Sequence, residues 1–410
     1  MMAVRFEAPA FWTPHREDGE GGGRSRTPLE DPVRPSVVHV VVAGECGGAE
    51  RFLVELASRP EATRARHAIA LMTPSSRLAA LFGQAGLRLH DRGRVRENPL
   101  AYLRRSLGWS DVAWLTGVMR AEHATIAHLH TFQSHVVGTR AARRAGARVL
   151  RTEHDTRYFV DPSCAAFTRW SLRRTDRAVA VSAEVERFMR SHIGGLERRV
   201  RTIRNGVDTR YFAPPVEDRA GKPIAFGILC RLEPVKQAHL VLEAIAQVDG
   251  VRLEVIGDGS ELANLRRLAA RLQIAHRVGF HGFRSDPRRV LSDVDVVVSA
   301  SRSESLGLAL LEAQAMSRPV IAFGVGGVPE VVVDGVTGWV LQEHSHHTAD
   351  ALVTAMRVAT REPSRTRAMG AAARRYVESE HAIERMCASY ADVYAELGAT
   401  RDERVTRRER

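Results

Sequence analysis

The feature that most constrains this chain is a repeated alternation of short apolar runs with helical stretches. Residues 36–43 read SVVHVVVA, a β-branched run suited to a strand buried on both faces. Similar runs follow at 67–72 (HAIALM), 125–130 (TIAHLH), 147–153 (ARVLRTE) and 177–182 (RAVAVS). The pattern restarts after Pro214-Pro215 and a polar stretch, 216–223. Its second set is 224–230 (IAFGILC), 252–257 (RLEVIG), 277–282 (RVGFHG), 294–301 (VDVVVSAS) and 319–323 (PVIAF). Strands separated by helices need crossover connections, which are right-handed and give parallel sheets. The prediction is α/β: two doubly wound domains, 36–215 and 216–379, facing across a cleft. Ligands of such sheets bind beyond the carboxyl ends of the strands. A final helix at 380–398 is expected to pack back toward the first domain. The Pro- and Gly-rich residues 1–35 read as a disordered leader, and 399–410 as a charged tail without structure.

Composition narrows the class. At 410 residues, 44% apolar and 26% charged, the chain suits two soluble domains. It has no apolar run of about 18–20 residues, and its N-terminus lacks a signal-peptide core, so a cytoplasmic protein is expected. Cys46, Cys164, Cys230 and Cys387 are scattered, giving neither a disulfide framework nor a zinc site. His344, His346 and His347 lie close together; without a Cys or Asp partner they read as a solvated turn, and no metal is expected. Only Lys222 and Lys236 are lysines among 60 basic residues. The Arg-rich bias is that of a GC-rich bacterial genome, and it makes Lys236 stand out. Residues 36–215 carry a net +13 and residues 216–398 a net −2. Such asymmetry suits a first domain that meets something anionic.

Four loops carry the chemistry. In 299–322 (SASRSESLGLALLEAQAMSRPVIA), Glu304 sits in a loop after a strand and Glu312 lies eight residues on, inside a helix opening near Gly307 and Leu308. Eight helical residues span about 12 Å. Two separated carboxylates can grip the two ends of an elongated polyhydroxyl ligand, and the helix start between them favours phosphate. The bland alternative is a capped surface helix with solvated glutamates. In 231–236 (RLEPVK), Arg231 and Lys236 follow the first strand of the second domain and could flank a diphosphate, or be two solvated cations. In 44–50 (GECGGAE), Gly47 and Gly48 allow close backbone approach to a phosphate or acceptor, without forming a dinucleotide fingerprint. The loops GDGSE (257–261) and FGVGGVPE (323–330) are weaker signals, because tight turns need glycine anyway. Among the strand-end histidines His128, His130 and His154, the last, in RTEHD, is favoured for the cleft.

Taken in order, GGAE (47–50), HLH (128–130), RTEHD (151–155), RNGVD (204–208), RLEPVK (231–236), VIGDG (255–259), HGFRSD (281–286), Glu304/Glu312 and GGVPE (326–330) resemble the family 4 glycosyltransferases. These are retaining enzymes of two Rossmann-like domains, the GT-B architecture, and the resemblance runs from about residue 37 to 395. It implies that Arg231 and Lys236 bind the donor diphosphate, that Glu312 holds the ribose, and that Glu304 with Gly307 and Leu308 contacts the sugar and distal phosphate. It also implies His154 near the sugar hydroxyls, Gly48 near diphosphate and acceptor, and Phe283 near the base. The family commonly has Phe where this chain has Leu306, a change that keeps the apolar role. Implied too are a UDP- or GDP-sugar co-substrate without cofactor or metal, and a cell-envelope polysaccharide, glycolipid or glycoconjugate product.

Other functions compete. A glycoside hydrolase needs carboxylates about 5–9.5 Å apart and no phosphate cations. A sugar-nucleotide epimerase would act without an acceptor, and an oxidoreductase would need the absent fingerprint. A non-catalytic membrane-surface module is motivated by Arg140, Arg143, Arg144 and Arg148, on an expected helix and the turn after it. Leu100, Leu103, Leu107, Trp109, Trp114 and Leu115 could line such a face or fill the core. An anionic membrane surface and an anionic or lipid-linked acceptor are the expected partners, and nucleic acid is not.

Overall fold

The computed structural model describes residues 34–42, 47–73, 75–93, 108–192, 194–195, 198–215, 222–342 and 347–406, with side chains to 399. The expectations for 1–33, Cys46, Leu100, Leu103, Leu107, 216–221, His344, His346 and 407–410 lie outside the described residues. The chain divides into two compact units. The first holds residues up to Val181, Val185–Ile203 and those from Cys387 on; the second holds Ser182–Glu184 and Arg204–Met386.

The first unit is a seven-stranded parallel sheet: β1 (Ser36–Val41), β2 (Arg66–Leu71), β3 (Arg88–Asp91), β4 (Ile126–Leu129), β5 (Arg148–Glu153), β6 (Arg177–Ala180) and β7 (Val200–Thr202). Its order is β3-β2-β1-β4-β5-β6-β7, so the winding reverses between β1 and β4. Alternation along the strands sorts the two faces. Val38, Val40, Ala68, Ala70, Ala127, Leu129 and Val149 join one buried cluster with the helix Ser110–Ala121, through Val112 and Leu115. The opposite face carries His39, His67, His128 and Thr152, with His39 directly opposite His128 in the ladder. Helix Ile383–Thr406 meets that face: Tyr394 Oη lies 3.0 Å from His128 Nδ1, and Tyr390 Oη 2.9 Å from Thr152 Oγ1.

The second unit is a six-stranded parallel sheet of β8 (Ala225–Leu229), β9 (Arg252–Ile256), β10 (Val278–Gly282), β11 (Val296–Ser299), β12 (Val320–Phe323) and β13 (Gly338–Leu341). The order β10-β9-β8-β11-β12-β13 reverses between β8 and β11. Its core combines the strand interiors with helices Ala238–Ala246, Leu308–Ala315 and Ala349–Arg361.

Three strands, β3, β7 and β13, lie outside the predicted runs, and all three are sheet edges; β3 (RLHD) and β7 (VRT) have no apolar run to announce them. An edge strand is half-solvated and needs no continuous apolar sequence. Two local expectations are corrected. The tail is helical in backbone through Thr406, because Arg401–Thr406 contains no Gly or Pro to stop a helix. Arg148 lies in β5, within the run expected at 147–153 and not in the turn after the helix, since Gly146 in the left-handed region (φ 75°) already ends the preceding helix, Phe132–Ala145.

Candidate functional site

In the second unit the reversal point separates the loops after β8 and β11, the two that carry the basic and acidic signals. After β8 the chain runs through Arg231 into a short 3-10 turn, Pro234–Lys236. After β11 it runs through Ser301 and Glu304 to the helix Leu308–Ala315. A backbone hydrogen bond from Arg302 to Val235 O (2.8 Å) ties the loops together. Lys236 Nζ then donates to Glu304 Oε1 at 2.5 Å, and Ser301 Oγ donates to the same oxygen at 2.7 Å. The ion pair is mostly buried, with side-chain exposures of 16% and 15%. Arg231 is exposed on the same loop. Desolvation pushes the thiol of the half-buried Cys230 up to about 12, so it stays protonated beside them.

Two glycine loops hold this arrangement. Gly326 lies in the left-handed region (φ 53°), where a Cβ would sit 2.0 Å from Glu304 O; a Cβ on Gly327 would meet Ser305 O at 2.4 Å. The Gly327 amide donates to Glu304 O at 2.9 Å. Gly257 and Gly259 press as closely on Cys230 O and Leu232 O, at 1.8 and 2.5 Å from a built Cβ. The loops GDGSE and FGVGGVPE are therefore backbone braces for the loops that bear Arg231, Lys236 and Glu304.

Gly307, at φ 100°, turns the chain into helix Leu308–Ala315. The first amides of that helix have no intrahelical acceptor and face an incoming anion with the positive end of the dipole. Glu312, in the second turn, is buried at 8% exposure. Phe283, half-buried, follows β10, two strands beyond β8. The geometry thus joins Lys236 to Glu304 directly and sets Gly307, Leu308 and Glu312 on the helix that follows, while Phe283 belongs to a separate loop. Sequence reasoning missed Ser301 and the bracing role of Gly326 and Gly327; the serine's position three residues before Glu304 was the available signal.

In the first unit Gly47 and Gly48 follow β1, at the reversal point, while His154 follows β5, one strand beyond β4. Gly47 precedes the helix Gly48–Ala57, and its amide is taken by Glu50 Oε2 at 2.8 Å. His154 follows β5 with its ring edge-on to Phe52 (4.9 Å between centroids), and its Nε2 is buried with no partner among the described residues. Burial lowers His154 to about 4, so the ring is neutral. The expectation of a solvated turn at His347 is corrected: its ring stacks on Phe323 at 3.9 Å and meets Gln237 at 2.9 Å. Leu115 is core, whereas Trp109 is 69% exposed.

Two doubly wound parallel units, the second with a paired cation and carboxylate at its reversal point, define a protein of the GT-B class. HepE from Anabaena, solved with UDP and glucose, superposes with a TM-score of 0.77 at 20% identity, over 88% of this chain and all of its own. Sucrose-phosphate synthase from Thermosynechococcus elongatus does so with 0.74 at 21%, over 90% and 100%. The Glycosyltransferase Family 4 model matches residues 46–211, and the model for glycosyl transferases group 1 matches residues 212–376. The D-inositol 3-phosphate glycosyltransferase of Mycobacterium bovis (strain BCG / Pasteur 1173P2) is 31% identical over 71% of this chain and 68% of its own. That of Mycobacterium marinum is 32% identical over 57% and 56%, so the chain spans little more than half of that relative's length. The chain belongs to the family 4 glycosyltransferases.

Proposed function

We propose that the protein transfers a sugar, with retention, from a UDP- or GDP-sugar to an acceptor of cell-envelope polysaccharide, glycolipid or glycoconjugate synthesis. The observation that carries this is the Lys236–Glu304 pair at the reversal point of the second unit. With no anion bound, Glu304 neutralises the buried ammonium. A donor diphosphate supplies the replacement charge, freeing the Glu304 carboxylate for a sugar hydroxyl. Lys236, Arg231 and the amides at Gly307 and Leu308 then stabilise the charge that grows on the departing phosphate, with no metal required. Glu312 accepts from the ribose hydroxyls, and Phe283 lies toward the base. The bond from the anomeric carbon to phosphate breaks, the bond to the acceptor oxygen forms on the same face, and the acceptor's proton passes to the departing phosphate. His154, with Gly47 and Gly48, serves the sugar and acceptor side.

Thermal-shift titration with UDP-, GDP- and ADP-sugars tests the donor reading. Stabilisation by one of them at millimolar concentration, unchanged by chelator, is expected. Stabilisation by none, or only with added divalent metal, would contradict it.

A second element of the reading is docking on anionic lipid. Among the described residues no helix is long and apolar enough to cross a membrane. Trp109 is exposed, and Arg144 and Arg140 lie over its ring at 4.3 and 5.7 Å. An aromatic ring flanked by guanidiniums suits an interface whose surface is negative. This would place a cytoplasmic enzyme at the inner face of the membrane, meeting an anionic or lipid-linked acceptor. Sedimentation with phosphatidylserine-containing vesicles, but not neutral ones, is expected; equal binding to both, or to neither, contradicts it.

A further inference from the structure

The buried face of the first sheet holds an unbroken line of imidazoles. Thr63 Oγ1 lies 2.6 Å from His67 Nε2, His67 Nδ1 lies 2.8 Å from His39 Nε2, and His39 Nδ1 lies 2.9 Å from His130 Nε2. Thr63 and His39 are fully buried, and His130 is 4% exposed. His130 Nδ1, at the far end, has no partner among the described residues, and the His154 ring lies 5.9 Å away between centroids. Burial holds His39, His67 and His130 below the ordinary histidine range, His67 at about 4, so the three rings are neutral.

A neutral imidazole donates from one nitrogen and accepts at the other. Every link in the line must therefore point the same way. Thr63 decides the direction. Its hydroxyl is in place to donate to Arg59 O at 3.0 Å, within the helical turn. It then accepts from His67, His67 accepts from His39, and His39 accepts from His130. The reverse direction spends the Thr63 proton on His67 and loses the bond to Arg59 O.

A bound metal is the rival use of this cluster, since His39, His128 and His130 each bring a ring nitrogen within 4.8 Å of the others. Yet both nitrogens of His128 already meet hydroxyls, Tyr394 at 3.0 Å and Thr152 at 2.8 Å. The 2.9 Å between His39 and His130 is also hydrogen-bond spacing. Two nitrogens on one tetrahedral ion, each about 2.0–2.1 Å from it, would stand roughly 3.3 Å apart.

We propose that Thr63, His67, His39 and His130 form a tautomer-coupled relay. In it Thr63 fixes His130 as the Nε2–H tautomer, leaving a bare, buried Nδ1 lone pair on the ring beside His154. His130 and its line are positioning residues that act through the neighbouring His154 ring; the effect on turnover rests on the transferase reading, and the tautomer part does not.

The test is long-range proton–nitrogen correlation on the full chain labelled with ¹⁵N-histidine, with His130 assigned by loss of its signals in His130→Asn. The wild type should show His130 protonated at Nε2. Thr63→Val keeps the shape but cannot accept, so His67, His39 and His130 should switch together to Nδ1–H, while Thr63→Ser stays as wild type. Thr63→Ala gives the same readout should the valine variant fail to fold. A change confined to His67, or a wild-type His130 protonated at Nδ1, would overturn the relay. So would chelator-reversible shifts of His39, His128 and His130 on adding one equivalent of Zn²⁺, which would make the cluster a metal site. In turnover of a nucleotide sugar, Thr63→Val should lose about tenfold in kcat, the worth of one hydrogen bond, with donor KM unchanged and Thr63→Ser restoring it. If the wild type turns over no such donor, the transferase reading fails while the tautomer result still stands or falls by itself.

Discussion

The two units share one topology and fill its reversal point with opposite chemistry. In the first, His39 and His128 lie on β1 and β4, His130 follows β4 and His154 follows β5; these are buried neutral rings, His39 bonded to His130 and His128 to the Thr152 hydroxyl. In the second, the loops after β8 and β11 carry a charged pair, Lys236 and Glu304, braced by glycines. The comparison teaches that a doubly wound sheet supplies a place for a ligand, and that side chains at two strand ends decide its kind. A charged pair can exchange partners with a phosphate, whereas a neutral hydrogen-bonded line can only orient hydroxyls.

The largest effect should come from the charged side. Lys236→Ala leaves Glu304 without its cation and the leaving phosphate without its counter-charge; turnover should fall about 10²–10³-fold. Steady-state rates with the donor found by thermal shift check this, and a loss under threefold would remove Lys236 from the role. Next, the two glutamates should separate. Glu312→Ala should weaken nucleotide binding by about tenfold to a hundredfold, the range for a hydrogen bond to a charged group. Glu304→Ala should damage turnover more than it damages binding of the free nucleoside diphosphate. Calorimetric titration beside kinetics reads both, and identical profiles would contradict the assignment.

The neutral side predicts a smaller effect, on stability. Buried imidazoles with lowered values bind fewer protons in the folded chain than in the unfolded one. Between about pH 6.5 and pH 4 the unfolded state gains protons first, so stability rises with pH and is lost on acidification. His67 and His154, each lowered to about 4, contribute about 3 kcal/mol apiece by the bottom of that window. The melting temperature should fall steeply from pH 7 to pH 5, and replacing His67 with Gln should flatten the fall. A melting temperature independent of pH across this range would show that the rings protonate without cost.

Much of the fold was legible because central parallel strands must be apolar on both faces: VVVS of β11 and AFGIL of β8 admit few other readings. The edge strands β3 and β7 were not legible, as RLHD of β3 shows, because solvent relaxes the demand for apolar residues. At the candidate site, Lys236 and Glu304 were legible as residue types at strand ends. Their pairing was not, since contact between positions 68 apart depends on which strands are neighbours. The glycines of FGVGGVPE were read as ordinary turn residues; only the approach of Gly326 to Glu304 O shows why a side chain is excluded there. The histidine line was hidden for a similar reason. His39 and His67 lie in separate strands, and only the register of β1, β2 and β4 brings them to one face with His128 and His130.

The second unit's charged reversal point, with Lys236 paired to Glu304, is the proposed donor site. Hydrogen–deuterium exchange of the full chain, with and without saturating UDP or GDP, tests it most directly. Protection should concentrate in peptides covering 230–237 and 300–315, and Glu312→Ala should diminish it at the same nucleotide concentration. Protection confined to the first unit, or unchanged by Glu312→Ala, would contradict the assignment.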